Sequence, residues 1–552
     1  MRGRAVFMQS LLSNRADVIF GNPGTTENPL LESLIEFPDI QYFTALHEGV
    51  AVCAAGLYAQ VSGKTALANL HVAPGLGNAI GMMYGCLRAK VPVIITAGQQ
   101  DTRLRLRQPL LSHDLVAMAQ PVVKLAAEPS QADEIAPLMA EAFQVANTYP
   151  RGPVFISLPN NVMEQETEAI SVPNTSIWTA STPSPQACAQ VAAAIGAAQR
   201  IAILAGDDVA VYGADESLRR LVTAIGADVY TDFLSARMAF PSSHANYGGR
   251  LPASTAPLRK LLEPYDLVLL TGGVTVEEVW FDAGHFFNSG TRVIQIELAQ
   301  AALQSKFAAH ASVCGDLTQT YNTILDTIAK DGQFVARVAT EQARKERAHE
   351  ERSKLSAARF EQARGQVPMT PSEALCTLAV CVPEDAVLVD ESITASGDLD
   401  RAFAKTSSAE FFAGRGGGIG QGVAGALGVA VALADKLTVA VSGDGSAMYS
   451  IQALWSAAHH NLNLLFVILA NEEYRVLKHN LDIHRARFDA PSDQPYPHMD
   501  LAGPTLDFSN MANGMGLPSA VARTPAEIEA ACQQLLAEPG PALLEIKVAG
   551  KP

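Results

Sequence analysis

Short apolar runs alternate with amphipathic stretches along most of the chain, and this alternation restricts the fold more than any other feature. Near the N-terminus the runs ADVIFG, TALANLH, VPVIITAG and GPVFISLP each precede a turn signal and a helical pattern. Strands that are apolar on both faces belong in parallel sheets covered by helices. The chain is therefore predicted to be an α/β protein built from doubly wound parallel sheets.

Three such blocks are separated by polar segments. The first block covers residues 1–168 and is followed by a segment rich in Pro, Ser and Thr, which predicts a linker. The second α/β block spans residues 185–330, and the charged stretch TEQARKERAHEERSKLSAARFEQARGQ after it predicts a solvated helix. The third block spans residues 368–552, with Thr370 or Ser372 as a candidate helix cap. The first and third blocks look like two copies of one plan.

Composition excludes several classes of function. The net charge of −16, from 40 Lys+Arg and 56 Asp+Glu, argues against a nucleic-acid binder. The seven cysteines are scattered without a C-x-x-C pair, so neither a disulfide framework nor a zinc ribbon is expected. Polar and charged residues interrupt the N-terminal apolar stretch, and no segment offers the ~18 charge-free apolar residues of a membrane span. We expect a soluble, cytoplasmic protein.

The strongest candidate site lies at two strand ends in the third block. A buried strand ends in Gly443-Asp444-Gly445, a helix follows from Ser446, and a second strand ends at Asn471. This connection brings Asp444 and Asn471 to neighbouring carboxyl ends of a parallel sheet. A carboxylate, an amide oxygen, a backbone carbonyl and phosphate oxygens suit Mg²⁺, while the glycines and the helix start suit a diphosphate. Taken alone, Gly-Asp-Gly is more often a tight turn.

The spacing GDG, 25 residues and Asn resembles the thiamin-diphosphate motif. GNPGTTE, ALHEGVAV, NLHVAPGLGNA, VIITAGQQ, GGGIGQG and GDGSAMYSIQALWSAA are similar to segments of the thiamin-diphosphate-dependent decarboxylase superfamily, and of its benzoylformate decarboxylases in particular. The resemblance extends through most of the chain. It implies pyrimidine-binding, central and diphosphate-binding domains, thiamin diphosphate and Mg²⁺ as cofactors, and active sites between subunits of a homotetramer.

Glu48 is the candidate that activates the cofactor. It precedes a long helix of apolar and small residues, so its carboxylate should be shielded from water and need a partner. The resemblance makes that partner the pyrimidine nitrogen N1′, whereas the residues alone equally allow an acid that stabilises a helix N-terminus. The resemblance also places Ile419 under the thiazolium ring and implies that the carbonyl of Gly417 contacts the 4′-amino group of the cofactor. It assigns cofactor or metal contacts to Thr394, Gly443, Asp444, Gly445, Ser446, Asn471 and the backbone carbonyl of Glu473.

His71 is the candidate that handles the substrate. It ends a predicted strand, where an imidazole can bind a carboxylate and move protons, although a single His is more often structural. The matching family position is a catalytic histidine, and Thr25 matches a serine that binds the substrate carboxylate. The second family histidine is replaced by Val279, with His285 nearby. His113 is the preferred substitute, and His479 and His484, in a charged stretch that could form a mobile lid, are further candidates.

Two groups of residues bear on substrate choice. The arginines Arg103, Arg105, Arg107 and Arg415 could meet an acidic or phosphate-bearing substrate such as an acyl-CoA, but solvated arginines that pair with acids are favoured. The aromatic residues could line an apolar pocket or belong to the core of the middle domain: Trp280, Phe281, Phe286 and Phe287.

The chain is predicted to decarboxylate a 2-oxo acid with an aromatic group, giving an aldehyde and CO₂, with carboligation as a side activity. The alternative is a carboligase or lyase, such as an acetolactate-synthase-like enzyme, a 2-hydroxyacyl-CoA lyase or an oxalyl-CoA decarboxylase. A remote alternative is an NAD-dependent dehydrogenase, because GQGVAG matches G-x-G-x-x-G and Asp444 lies 19 residues beyond Gly425. A non-enzymatic binding protein would leave Glu48 and Asp444 without a role.

Overall fold

Three parallel sheets of six strands each, interleaved with helices, confirm the predicted α/β class. The computed structural model describes residues 1–171, 178–274, 276–303, 308–330, 332–403, 405 and 407–550. The chain divides into two units, the first made of residues 1–177, 363–403 and 412–552 and the second of residues 178–362 and 404–411. The first unit holds two of the sheets and the second unit holds one. In the described part of the chain, every helix is too short or too polar to cross a bilayer.

The first sheet contains β1 (Val18–Gly21), β2 (Gln41–Thr44), β3 (Ala66–Leu70), β4 (Val93–Gln99), β5 (Ala126–Ala127) and β6 (Val154–Pro159), in the order β2-β1-β3-β4-β6-β5. Its helices are α1 (Gly3–Ser13), α2 (Asn28–Glu36), α3 (Glu48–Ser62), α4 (Val72–Arg88), α5 (Leu115–Ala119), α6 (Ile135–Asn147) and α7 (Asn160–Glu164). The four apolar runs of the sequence form β1, β3, β4 and β6, which are buried throughout. The edge strands β2 and β5 are short and half-exposed, so no apolar run predicts them.

The central sheet contains β7 (Ile201–Ala205), β8 (Asp228–Thr231), β9 (Tyr247–Arg250), β10 (Leu267–Thr271), β11 (Arg292–Glu297) and β12 (Ala311–Cys314), in the order β12-β11-β10-β7-β8-β9. Its helices are α8 (Pro185–Ala197), α9 (Asp208–Val211), α10 (Asp215–Ile225), α11 (Thr255–Leu262), α12 (Leu317–Ile328) and α13 (Gly332–Ala363). The last of these helices, α13, is the predicted charged helix. The charged stretch of the sequence starts at Thr340, but the helix begins eight residues earlier, at Gly332.

The third sheet contains β13 (Val387–Glu391), β14 (Phe411–Ala413), β15 (Thr438–Gly443), β16 (Leu464–Ala470), β17 (Ser519–Ala522) and β18 (Ala542–Lys547). Its order, β14-β13-β15-β16-β18-β17, repeats the order of the first sheet, as the likeness between the two blocks suggests. Its helices are α14 (Pro371–Cys381), α15 (Ser396–Ala402), α16 (Gln421–Ala432), α17 (Asp444–Ala447), α18 (Ala453–His459), α19 (Arg475–Arg487), α20 (Phe508–Gly514) and α21 (Pro525–Leu535). Thr370 caps α14, with its hydroxyl oxygen 3.2 Å from the amide nitrogen of Glu373.

Helices α3 and α16 join the first and third sheets into one core. Both are rich in Ala, Gly and Val and are buried over most of their length. A Cβ on Gly428 would overlap the carbonyl of Ala54, and one on Gly425 would overlap the side chain of Leu57. Small residues therefore let the two helix backbones meet, and the cores of both sheets merge around them.

Candidate active site

The strand orders identify where ligands should bind. In the first sheet the order reverses between β1 and β3, and in the third sheet between β13 and β15. Open α/β sheets bind ligands in the crevice at the carboxyl ends of such strands. His71 directly follows β3, Thr394 lies three residues beyond β13, and Asp444 directly follows β15. Three sequence candidates thus stand at two equivalent crevices.

Glu48 begins α3 and is buried, with 6% of its surface exposed. Its Oε1 accepts a hydrogen bond from Nδ2 of Asn22 at 3.1 Å, and its Oε2 accepts one from Nδ2 of Asn78 at 3.0 Å. A Cβ on Gly75 would press on the same carboxylate, which explains a glycine there. Each carboxyl oxygen keeps a further lone pair, so the group is fixed in place and still able to bind a ring nitrogen.

A buried acid that the sequence did not single out holds His71. Nδ1 of His71 lies 2.7 Å from Oε2 of Glu27, which is 2% exposed. Glu27 is anchored in turn by the backbone amides of Gly24 at 2.9 Å and Gly98 at 2.7 Å. A Cβ on Gly24 would overlap the imidazole. The pair fixes one ring nitrogen of His71 and leaves the other, Nε2, to a ligand.

The two remaining substrate candidates are exposed. Thr25 lies at the start of a single 3₁₀ turn, and His113 lies in the loop before α5 with its carbonyl 3.0 Å from Nε2 of Gln99. Gln100 donates to the carbonyl of Leu110 in the same loop at 2.9 Å. Because β4 ends at Gln99, both glutamines tie this loop to the sheet edge that carries Glu27 and His71. Leu110 is 81% exposed and offers apolar surface there.

Asp444 and Asn471 stand side by side at the third sheet. Oδ2 of Asp444 accepts the amide of Glu472 at 2.7 Å and Oδ1 accepts that of Gly445 at 2.7 Å. Burial raises the pKa of the Asp444 carboxyl, and these amides oppose the rise. Oδ1 of Asn471 accepts the amide of Glu473 at 3.1 Å, while the carbonyl of Glu473 accepts the amide of Arg475 at 3.0 Å.

The expected helix start at Ser446 is wrong. The helix begins at Asp444 and ends after four residues at Ala447, and α18 starts only at Ala453. A helix of one turn carries little dipole, so its contribution to anion binding rests on free backbone amides rather than on a macrodipole. The buried Ser446 remains part of this turn.

The glycine-rich loop before α16 is held by a second unpredicted acid. Oε1 of Glu391, at the end of β13, accepts the amides of Gly420 at 2.7 Å and Gln421 at 2.8 Å. Nε2 of Gln421 reaches back to the carbonyl of Gly418 at 2.7 Å. Ile419 is therefore fixed between two anchored residues. Because Glu391 occupies the amides at the start of α16, and no strand directly precedes Gly420, the dinucleotide interpretation of GQGVAG fails.

The two parts of the candidate site lie at opposite ends of α4. Gly75, near its start, faces the Glu48 carboxylate, whereas Gly85 faces the side chain of Gln421. Ten residues of α-helix span about 15 Å. Gly416 lies against Arg88, farther still from the helix start. Within one chain, the Glu48 end and the Gln421 end of α4 are therefore about 15 Å apart along the helix.

Backbone strain marks three of the segments that carry candidate residues. Val72, directly after His71, has φ of +39°, Ile393 before Thr394 has +51°, and Glu472 after Asn471 has +58°. L-residues rarely adopt such angles, and each instance costs about 1–3 kcal/mol. All three lie just beyond the carboxyl ends of strands, namely β3, β13 and β16.

The structure separates the other candidates. Val279 and His285 are exposed residues of the second unit, as is Phe281, whereas Phe286 and Phe287 pack against the central core. His479 and His484 are exposed on α19, so the charged stretch that carries them is helical. The solvated interpretation holds for Arg103 and Arg105, which pair with Asp101 and Glu128, and for the exposed Arg107. It is wrong for Arg415, which belongs to the glycine-rich loop and is buried.

The acids that the sequence analysis missed had weak signals. Glu27 sits in GTTENP, where an acid before a helix normally serves as a capping residue. Glu391 ends an apolar run, where a polar residue is typical of a strand end. The feature that the two acids share is their position. Both lie at or beyond the carboxyl end of a strand that flanks a reversal of strand order.

Comparisons with known proteins agree with the resemblance. Family models of thiamine pyrophosphate enzymes match the chain as the N-terminal TPP binding domain at residues 1–118, the central domain at 188–324 and the C-terminal TPP binding domain at 396–546. Benzoylformate decarboxylase of Pseudomonas aeruginosa is 28% identical over 96% of this chain and 95% of its own. A Mycobacterium tuberculosis protein provisionally named as an acetolactate synthase large subunit is 28% identical over 99% of each chain. A solved structure from Mycobacterium smegmatis, assigned to the thiamin diphosphate-dependent enzymes, has a TM-score of 0.85 and 30% identity, covering 100% of this chain and 99% of that one.

The described residues fit such a cofactor. Gly417 and Gly443 have no atom within 4 Å of where a Cβ would stand, so both backbones are open to close approach. Asp444 and Asn471 present hard oxygen ligands at one edge, and Glu48 presents a fixed, buried carboxylate at another. A diphosphate with Mg²⁺ requires oxygen donors and open glycine backbone. An aminopyrimidine requires a shielded acid.

Proposed function

The chain belongs to the thiamine pyrophosphate enzymes, and from this premise we propose that it is a decarboxylase of a 2-oxo acid with an aromatic group, dependent on thiamin diphosphate and Mg²⁺. The products are an aldehyde and CO₂, and carboligation is a side reaction. The observation that carries the proposal is the buried Glu27, 2.7 Å from His71, at the sheet edge beside Glu48. The likeness to benzoylformate decarboxylase supports the substrate class.

Glu48 supplies the acid that the cofactor needs. Thiamin diphosphate, when bound, serves as the electron sink for the carbon that loses CO₂. Glu48 would share a proton with the ring nitrogen N1′ of the cofactor, and Asn22 and Asn78 keep the carboxyl in one orientation. The burial of Glu48 excludes water, which strengthens this hydrogen bond.

His71 binds and orients the substrate. An ionised Glu27 only accepts hydrogen bonds, so Nδ1 of His71 carries the hydrogen and Nε2 is the atom that faces the substrate. Nε2 hydrogen-bonds the substrate carboxylate or takes part in proton transfer, with the hydroxyl of Thr25 as a second donor. Leu110, on the loop tied to the same edge, offers apolar surface to an aromatic group. His113 on that loop is the proposed proton donor to the product.

Asp444, Asn471 and the carbonyl of Glu473 would supply oxygen ligands to Mg²⁺ beside the diphosphate. Gly443, Gly445, Ser446 and Thr394 border the diphosphate. The carbonyl of Gly417 and the side chain of Ile419 position the two rings.

A second copy of the chain completes each site. The ten-residue separation along α4 between the Glu48 end and the Gln421 end supports this, because the aminopyrimidine must touch Glu48 and the glycine-rich loop together. We propose that Glu48 of one subunit meets the loop of another, in a homotetramer built from two such dimers.

The test is CO₂ release from a panel of 2-oxo acids, benzoylformate included, with thiamin diphosphate and Mg²⁺ present or omitted. Cofactor-dependent release with an aldehyde as the product is expected, fastest for aromatic acids. The matched control is Glu48→Gln, which should bind the cofactor and release little CO₂. No release from any acid, despite measured cofactor binding, would overturn the decarboxylase.

A carboligase or lyase is the second candidate, and Val279 favours it. This valine stands at the position of the second family histidine and cannot transfer a proton. Without that proton donor, transfer of the substrate's carbon group to a second substrate would be favoured over release of an aldehyde. The similarity to an acetolactate synthase large subunit is consistent with that outcome. Product analysis separates the candidates: a hydroxyketone or acyl-CoA turnover supports the second, and a flavin absorbance in the pure protein supports its synthase branch.

A further inference from the structure

The segment that carries two of the proposed Mg²⁺ ligands is held from both sides. Asn471 and Glu473 flank Glu472, whose φ of +58° is rare for an L-residue. The amide of Glu472 donates to Oδ2 of Asp444 at 2.7 Å, and its carbonyl accepts the amide of Leu501 at 2.7 Å. Strained backbone persists only where its surroundings fix it, so the contacts around Glu472 determine where the two ligands lie.

The outer side of this segment is covered by residues 495–501, which we call the strap. The strap pairs antiparallel with residues 472–474, and the amide of Tyr474 donates to a strap carbonyl at 2.8 Å. A Cβ on Gly445 would overlap the ring of Tyr474 and contact the side chain of Leu501. The strap therefore lies against both the Gly-Asp-Gly turn and the segment that follows β16.

One lysine joins the strap to a proposed ligand residue. Nζ of Lys478, on α19, donates to Oδ1 of Asp500 in the strap at 2.6 Å and to Oε2 of Glu473. The side chains of Lys478 and Glu473 are 12% and 13% exposed, so their attraction is screened less than that of a surface ion pair. Nε of Arg475 lies 3.9 Å from the other carboxyl oxygen of Glu473, outside hydrogen-bonding distance.

The strap is anchored to α19 at a second place. The guanidinium of the buried Arg485 donates to the carbonyl of Pro495 at 2.7 Å and lies 4.9 Å from the ring centroid of Tyr496. The hydroxyl of Tyr496 donates to Asp482 at 2.6 Å. These contacts hold the beginning of the strap, and the lysine–aspartate contact holds its end, next to the proposed metal ligands.

We propose that Lys478 is a positioning residue for the Mg²⁺ site, because it joins Glu473 to the strap and so fixes the carbonyl of Glu473 and the side chain of Asn471. This role rests on the proposed function, which supplies the Mg²⁺ and the diphosphate. Oδ1 of Asn471 accepts the amide of Glu473 at 3.1 Å, so a shift of Glu473 moves both ligands. Mg²⁺ demands near-ideal octahedral geometry, and small shifts of its ligands therefore lower its affinity.

The test measures the Mg²⁺ concentration at which thiamin diphosphate binding to the full chain is half-maximal, by equilibrium dialysis. Lys478→Gln should raise this concentration about 10- to 100-fold, the usual cost of losing a residue that orients metal ligands. At saturating Mg²⁺ its kcat should return to that of wild type, because the ligands themselves are unchanged. Arg219→Gln, which removes an exposed cation paired with Glu216 on α10, is the matched control and should change neither quantity.

A double-mutant cycle tests whether the lysine acts through the strap. Asp500 is 68% exposed, so Asp500→Asn should fold normally, and it should also raise the Mg²⁺ requirement. The double variant should raise it by less than the product of the two single effects, since both changes break one contact. In the cofactor-free protein, the amides of Tyr474 and Leu501 should exchange hydrogen faster in Lys478→Gln than in wild type.

Three results would overturn the positioning role: an unchanged Mg²⁺ requirement in Lys478→Gln, single effects that multiply in full, or unchanged exchange of the two amides. Binding of thiamin diphosphate to the wild type without any need for Mg²⁺ would overturn the proposed metal site itself. The two failures are distinguishable, because the first three compare variants with a wild type that does require Mg²⁺ or contains no cofactor.

Discussion

Glu391→Gln is expected to change how the stability of the protein depends on pH. Burial raises the pKa of the Glu391 carboxyl from 4.5 to about 7, although the amides of Gly420, Gln421 and Gly422 and the hydroxyl of Ser442 lower it. One pKa unit is worth about 1.4 kcal/mol, so this difference corresponds to about 3 kcal/mol. The residue is 6% exposed, and solvent therefore screens little of the effect.

The sign follows from where the proton is bound. Between pH 4.5 and about 7 the folded chain keeps the Glu391 proton and the unfolded chain releases it. The free energy of unfolding therefore falls as the pH rises through this window, and the full cost of about 3 kcal/mol is present above it. A glutamine carbonyl accepts the amides of Gly420 and Gln421 as the acid does, but it carries no charge to be desolvated.

The assay is the thermal midpoint of the cofactor-free protein at pH 5, 6, 7 and 8. The variant should match the wild type near pH 5, apart from an offset due to the weaker hydrogen bonds. It should gain on the wild type up to about pH 7 and keep a nearly constant advantage at pH 8. An infrared band of a protonated carboxyl group should titrate near neutral pH in the wild type and be absent from Glu391→Gln. Glu32→Gln, which changes an exposed acid, is the control. Parallel pH profiles of Glu391→Gln and wild type would refute the reasoning.

Three other substitutions test the proposed site. Glu48→Gln should bind thiamin diphosphate normally and lower kcat by about 10²- to 10⁴-fold, the range of general acid–base catalysis; unchanged turnover would remove Glu48 from the mechanism. Asp444→Ala should abolish Mg²⁺-dependent retention of the cofactor on gel filtration, and retention at wild-type affinity would contradict the metal assignment. Glu27→Gln should lower kcat by roughly tenfold or more and alter its pH profile while the circular dichroism spectrum is unchanged, because the amide no longer fixes the tautomer of His71. An unaltered pH profile would make Glu27 a purely structural acid.

Much of the fold was predictable because buried strands have a simple pattern. The runs that became β3, β4 and β15 are apolar on both faces, and the helices between them follow from the need to cover a parallel sheet. The edge strand β2 escaped prediction because partial exposure removes the pattern. The break between α17 and α18 escaped because Met448–Gln452 contains no strong helix breaker.

The candidate site was predictable only where chemistry and sequence spacing coincide. Asp444 and Asn471 are linked by one strand–helix–strand unit, so their proximity follows from chain connectivity. Glu27 and His71 lie 44 residues apart and meet only because β1 and β3 are neighbours, which no local pattern reveals. The burial of Arg415 depends likewise on the packing of its loop, and an arginine among glycines gives no sign of it.

The positive φ angles at Val72, Ile393 and Glu472 have a consequence for protein engineering. A campaign that selects for heat resistance would find glycine attractive at all three positions, because it relieves strain of about 1–3 kcal/mol each. Each such exchange would also loosen the backbone next to His71, Thr394 or Asn471. Selection for thermostability should therefore favour glycine at these three positions, whereas selection for turnover should keep the present residues. A library randomised at these positions should give different residues under the two selections.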